Sequence, residues 1–421
     1  MASKIYGGDD KGPVGIKTEG IHIVDKQGKK YIDLSSGTFD QPLGYDNPVL
    51  KKAIIEQAND MTYLPGPFIS EKILNLAEEL VKLAPDNIKS VHLRDLTGST
   101  AIEGAVKIAQ TATKKRDIFS FFGSHHGQTF FTTDLSGNAF RGELYPVHFS
   151  GIIHIPAPYC YRCFYKQKFP ECNFVCINRI REHIEYASSG NVACIVCEPI
   201  LGNGGNIVPP KGYFRELKKL CKEFEILLVF DEVQTGLGRT GYMFAAEYFE
   251  VEPDIIVLGK GLGGPTPRSA ILISGDIPEY MPSYQHSTTG RSNQISLAVA
   301  LATLKELQKP FFLQNVIQVG EVLGTGLKKL KDKFSFIGDV RGLGFMWGVE
   351  IVNPADERTP DVVLNNRIIK KAFTAGLIIR SSRYGYGNVF KVRPALILTE
   401  DDAKEIIEKL DRVLEKINED L

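Results

Sequence analysis

Two short aliphatic runs, Ile226–Phe230 and Ile255–Leu258, constrain the fold of this chain more than anything else in it. Each is strand-length, and neither alternates apolar with polar residues, so both faces of each strand must be covered. They belong to a series. Val91–Leu96 precedes a helical pattern at Thr100–Ala112, Ile118–Phe122 follows, and Ala193–Cys197 precedes a helical pattern at Tyr213–Phe224. Strands alternating with amphipathic helices predict an α/β unit, a mostly parallel sheet clothed by helices.

The flanks read differently. Ile21–Val24 and Tyr31–Leu34 enclose the turn Asp25-Lys26-Gln27-Gly28-Lys29-Lys30, a hairpin signal. Asn47–Gln57, Ser70–Leu83 and Gln294–Leu307 are helical patterns. Beyond about residue 330 come strands around Ser335–Val340 and Phe345–Ile351 and a helix near Val362–Ala375. Strands near Leu377–Ile379 and Val389–Val392 and a final helix Asp401–Glu419 complete the chain. The expected division is residues 1–60 contributing to a small domain, 61–325 as a large α/β domain, and 326–421 as a C-terminal small α+β domain.

Composition excludes some classes. The 421 residues carry 50 basic and 50 acidic side chains, so nothing suggests binding to nucleic acid or to an anionic membrane. No stretch approaches the roughly 18 apolar residues of a membrane span. Met1–Gly20 lacks the apolar core of a signal peptide, and the expected setting is cytoplasmic.

The chemistry gathers at strand ends. The first aliphatic run delivers Asp231-Glu232, and in open α/β sheets the carboxyl ends of strands are where ligands bind. By itself such a pair also suits a solvated turn. The second run ends in Gly259-Lys260-Gly261-Leu262-Gly263-Gly264. Glycines let backbone approach a bulky ligand, and a lysine in apolar surroundings has the lowered pKa of an imine-forming amine. An aspartate one strand away gives the lysine a second meaning. A pyridoxal enzyme needs a Schiff-base lysine and an acid that keeps the cofactor's ring nitrogen protonated. Thr97-Gly98-Ser99-Thr100, between a strand and a helix, suits a phosphate at a helix N-terminus or a simple N-cap.

Together these segments resemble the class III pyridoxal-phosphate aminotransferases over nearly the whole chain. Gly98-Ser99-Thr100-Ala101-Ile102-Glu103-Gly104 is similar to the family's phosphate-cup helix, and Asp231-Glu232-Val233-Gln234-Thr235-Gly236-Leu237-Gly238-Arg239-Thr240-Gly241 to its pyridine-nitrogen segment. Lys260 falls where the family carries its Schiff base. The resemblance implies pyridoxal 5'-phosphate as cofactor and the aspartate-aminotransferase-like fold (fold type I), with a mostly parallel seven-stranded sheet. It also implies a homodimer with shared active sites, an amine donor and an oxo-acid acceptor such as 2-oxoglutarate or pyruvate.

By the same resemblance His125 takes the place of the ring that stacks on the cofactor, with His126 beside it. Val233 packs on the opposite face and Gln234 reaches the phenolic oxygen. Glu198 is an acid behind the ring, and Thr289 reaches the phosphate of the neighbouring subunit. Arg393 clamps the substrate α-carboxylate, for which a planar fork is suited. Thr38 and Phe39 line the pocket.

Two departures bear on substrate. Gln128 stands where members acting on ω-amino acids carry arginine, which removes a charge-assisted clamp. The donor is therefore expected to lack a distal carboxylate. Asn203 stands where many members have a glutamate that masks the arginine corresponding to Arg393. An enzyme with one substrate has no need of such a mask, so a racemase or epimerase of the same family is an alternative, as is an amino-sugar transaminase. Finally, Cys160, Cys163, Cys172 and Cys176 have spacings compatible with zinc or with an ordinary packed loop, while Cys194 and Cys197 read as core. No metal site is expected.

Overall fold

The computed structural model describes residues 12–138, 148–278, 281, 285–356, 358–383 and 385–421. Its centre is a seven-stranded sheet in the order Ile88–His92, Ala270–Ser274, Ile255–Leu258, Leu227–Asp231, Val192–Cys197, Asp117–Phe121, Ile152–Ile155. The last five strands run parallel. Ala270–Ser274 pairs antiparallel with both of its neighbours. The aliphatic runs at 255–258 and 192–197 are buried at every position, as strands covered on both faces require.

Two differences from the sequence reading have a physical cause. The strand expected at Val91–Leu96 lies at Ile88–His92, because Leu93 is buried by the crossing into the next helix rather than by sheet pairing. Ala270–Ser274 follows the lysine loop so closely that its apolar run did not stand out as a strand of its own.

Both ends of the chain build the smaller part. The sheet Gly15–Glu19, His22–Asp25, Lys30–Asp33 takes its fourth strand, Leu377–Ile378, from the far end, parallel to Lys30–Asp33. The expected hairpin is present, with His22 opposite Ile32. A further sheet joins Ile337–Leu343, Met346–Ile351, Val389–Val392 and Arg380–Ser381. Helix Glu400–Asn418 starts at a capping box in which Thr399 and Asp402 satisfy each other's backbone N–H groups. It buries Ile406, Leu410, Val413, Leu414 and Ile417, spaced as one apolar stripe. Truncating a fully buried leucine such as Leu410 to alanine costs about 2–5 kcal/mol.

Candidate active site

Parallel strands end on the same side, and this brings the chemistry together. Asp231 closes the strand Leu227–Asp231, opposite Val257 of its neighbour. Lys260 lies two residues past the end of that neighbour, in the 3-10 turn Lys260–Leu262. Its φ of +43° is left-handed, a conformation that costs a non-glycine residue about 1–3 kcal/mol and that clusters at functional sites. Both side chains line one cavity of ≈ 700 Å³.

The helix Gly98–Thr113 points its N-terminus at the same cavity. Thr97 is the N-cap, accepting from the Thr100 amide at 3.3 Å, so the motif does act as a cap. Gly98 and Ser99 line the cavity beyond it. A Cβ on Gly98 would lie 3.1 Å from both methyls of Val233, so the glycine lets the helix start close over that side chain.

Asp231 is held from two sides. The Val233 amide donates to Oδ1 at 3.1 Å, and His126 Nδ1 lies 2.8 Å from Oδ2, with both side chains buried. An ionised carboxylate only accepts, so Nδ1 carries the proton of this bond. Asp231 is thus aimed by His126. Sequence reading placed His126 beside the cofactor but missed this link, since 105 residues separate the pair.

Burial lowers the pKa of Lys260, against the pull of the Asp231 and Asp40 charges, and so favours its neutral, nucleophilic amine. Glu198 sits behind the cavity and accepts from the His125 amide at 2.9 Å and the Gly202 amide at 3.0 Å. Burial pushes its carboxyl up to about 7. Gln234 is buried, with Oε1 lacking a hydrogen-bond partner among the described residues.

Of the remaining expected residues, His125, Gln128, Thr38, Phe39 and Arg393 line the cavity. Thr38 and Phe39 both have left-handed backbone, at φ +69° and +72°. The Arg393 guanidinium lies over the Phe39 ring, 4.4 Å from its centroid. Burial, then Arg239 and Arg380, pulls Arg393 down to about 9, against the smaller opposing pull of Asp33. Thr100, Glu198 and Thr289 are not on the cavity wall. Thr100 Oγ1 returns to the Thr97 carbonyl, and Thr289 is exposed, its carbonyl accepting from Tyr63.

Four lining cations escaped sequence reading: Arg268, Arg380, Arg383 and Lys391. The available signal was the two-residue spacing of Lys391 and Arg393, which puts both on one face of an extended segment. Asn203, which stands where many members have a masking glutamate, also lines the cavity. Its Oδ1 accepts from Lys391 Nζ at 3.4 Å, so residue 203 is hydrogen-bonded to Lys391 rather than to Arg393.

The cysteine loop packs on the C-terminal sheet. Tyr159 and Arg162 both bind Glu350, which also takes Arg341 at 2.7 Å. Among the described residues, no three of the sulfurs of Cys160, Cys163, Cys172 and Cys176 come within 4.8 Å of one another. Cys194 and Cys197 are buried in the central sheet.

A strand-end aspartate and a strained, half-buried lysine facing one cavity of a seven-stranded sheet define a fold type I pyridoxal-phosphate enzyme. The chain belongs to the class III aminotransferases: the family model described as Aminotransferase class-III matches residues 11–414. Among its relatives, the leucine/methionine racemase of Thermococcus litoralis is 34% identical, covering 96% of this chain and 91% of that one. The alanine/serine racemase of Pyrococcus horikoshii is 36% identical, covering 94% of this chain and 84% of that one. A solved transaminase from the marine bacterium Virgibacillus superposes with a TM-score of 0.91 at 27% identity, covering 100% of this chain and 97% of that one. No helix among the described residues is long and apolar enough to cross a membrane.

Proposed function

We propose that this enzyme transfers an amino group from an amino acid or amine without a distal carboxylate to a 2-oxo acid such as 2-oxoglutarate or pyruvate. The observation that carries this reading is the convergence of Lys260 and Asp231 on one cavity whose far wall holds the guanidinium of Arg393. The residues present fit pyridoxal 5'-phosphate. Gly98 and Ser99 at the helix start suit its phosphate, Asp231 its ring nitrogen, and the unpartnered Gln234 amide oxygen a further polar group of the ring. His125 and Val233, both on the cavity wall, suit its two faces. When bound, the cofactor supplies an electron sink for a carbanion at the substrate carbon.

The chain's own residues do the rest. Lys260 Nζ would hold the cofactor, and as a free amine it would be the base that removes the proton from the substrate Cα. The same nitrogen carries that proton to its next position. Asp231, aimed by His126, keeps positive charge on the ring nitrogen. Arg393 takes the α-carboxylate in its fork and fixes which bond faces Lys260.

A second reading, amino-acid racemisation, is favoured by the two racemases among the relatives and by Asn203 in place of an acid. One experiment separates them. A single enantiomer of a neutral amino acid is incubated with the holoenzyme, with and without 2-oxoglutarate or pyruvate. Transamination gives the oxo product and bleaches the visible cofactor band. Inversion in the absence of any oxo acid, with the band unchanged, would overturn the transaminase assignment.

The same reading extends to assembly, location and organisation. Thr289 is exposed and does not line its own cavity, and Phe68, Ile69 and Leu74 expose apolar surface beside a second cavity of ≈ 490 Å³. Both features support a homodimer with shared sites. Seven free cysteines fit a reducing cytoplasm. The division into 1–60, 61–325 and 326–421 is consistent with the sheets to which each stretch contributes.

A further inference from the structure

Gln128 leaves one wall of the cavity without the cation that would hold a second carboxylate, yet the cavity as a whole is strongly basic. Apart from the amine of Lys260, the side chains of Arg268, Arg380, Arg383, Lys391 and Arg393 line it against two acids, Asp40 and Asp231. Four of the basic residues, Arg380, Arg383, Lys391 and Arg393, come from one short stretch near the C-terminal end.

The excess is built into one piece of sheet. Arg380 stands directly opposite Lys391 in the antiparallel pair Arg380–Ser381 and Val389–Val392. Residues opposite each other share a face, and like charges in that arrangement destabilise a sheet. Arg393 follows Lys391 by two positions. Among the described residues, no acidic side chain forms a salt bridge within 4.0 Å of Arg380, Arg383, Lys391 or Arg393. The nearest polar partner of Lys391 is neutral: Asn203 Oδ1 at 3.4 Å, while the Arg383 amide donates to the Asn203 carbonyl at 3.3 Å. Lys391 itself is buried, with Arg380 and Arg383 exposed at the rim. Stability alone does not gather such a group without counter-charge.

We propose that Lys391, Arg380 and Arg383 form a second anion subsite, which takes the distal carboxylate of a dicarboxylic 2-oxo acid while Arg393 takes the carboxylate beside the carbonyl. This rests on the transaminase reading and on the role given there to Arg393, and it selects 2-oxoglutarate-like acceptors over pyruvate. A donor with a neutral side chain leaves the subsite to solvent, and the exposed rim arginines allow that. Burial, then the Arg393 and Arg383 charges, holds Lys391 well below its ordinary pKa. A bound dianion reverses that balance, so binding should draw a proton from solution.

The test uses the holoenzyme and two unreactive acids, glutarate and butyrate, in titration calorimetry repeated in buffers of different ionisation enthalpy. Glutarate should bind the parent at least about tenfold more tightly than butyrate, with proton uptake. Lys391→Met, and separately the double variant Arg380→Gln/Arg383→Gln, should each erase most of that preference while moving butyrate less than about threefold. The rim variants guard against misfolding, since both side chains are exposed. Equal affinities for the two acids in the parent, or variants that weaken both acids alike, would overturn the subsite. Arg393→Gln should weaken both acids. If it leaves butyrate unchanged, the α-carboxylate role of Arg393 fails while the glutarate preference still judges the subsite.

Discussion

Glu232 gives a quantitative handle on the loop that follows Asp231. Its carboxylate is buried and accepts from the Ala245 amide at 2.7 Å, the Ala246 amide at 3.0 Å and the Thr235 hydroxyl at 3.1 Å. Burial outweighs these three donors and raises the acid from 4.5 to about 7. In the unfolded chain the group has lost its proton above about 4.5, whereas the fold retains it to about 7. Stability therefore falls as pH rises through that window and levels off above it. At about 1.4 kcal/mol per pH unit, the loss reaches about 3 kcal/mol. Glu232→Gln is neutral at every pH and should lose that slope. Urea denaturation of parent and variant at pH 5 and pH 8, at one protein concentration, measures it. The parent should lose about 3 kcal/mol more than Glu232→Gln between the two values. Glu198, raised to about 7 by burial, adds a second contribution in the same window, and Glu198→Gln removes it in turn. If Glu232→Gln shows the parent's full pH dependence, burial is not what governs this acid.

Other outcomes follow from the site. His126→Leu removes a hydrogen bond to an ionised carboxylate, and kcat should fall about 10- to 100-fold with little change in KM. Steady-state kinetics with one donor and one acceptor decides this; a change confined to KM would contradict the aiming role. Lys260→Ala should lower turnover by at least about 1000-fold and leave nothing at position 260 for borohydride to trap, as peptide mapping would show. Gln128→Arg should raise kcat/KM for 4-aminobutyrate about tenfold or more, because a fork is restored for a distal carboxylate. Fast turnover of 4-aminobutyrate by the parent would contradict the reading of Gln128.

The sequence made the centre of the enzyme legible because it consists of local patterns. Ile255–Leu258 announces a doubly covered strand, and Lys260 follows within two residues. The same holds for Leu227–Asp231. What escaped was set by tertiary pairing. Nothing near His126 reveals that its partner is Asp231, and Arg380 becomes a neighbour of Lys391 only through strand register. The partner of Asn203 was likewise hidden, because positions 391 and 393 share a face and only the fold decides which one reaches it. The Tyr-Cys-Tyr-Arg-Cys stretch was ambiguous for a similar reason: Glu350, which ties Tyr159 and Arg162 to the C-terminal sheet, lies far along the chain.

The parallel pairing of Lys30–Asp33 with Leu377–Ile378 has a consequence for biosynthesis. A ribosome that has released the whole central sheet, with Lys260 and Asp231, has yet to deliver Lys391 and Arg393, which line the same cavity. Lys30–Asp33, made in the first tenth of translation, waits for a partner strand made when about nine-tenths of the chain is complete. A nascent or prematurely terminated chain can thus carry Lys260 and Asp231 without the cations that complete their cavity.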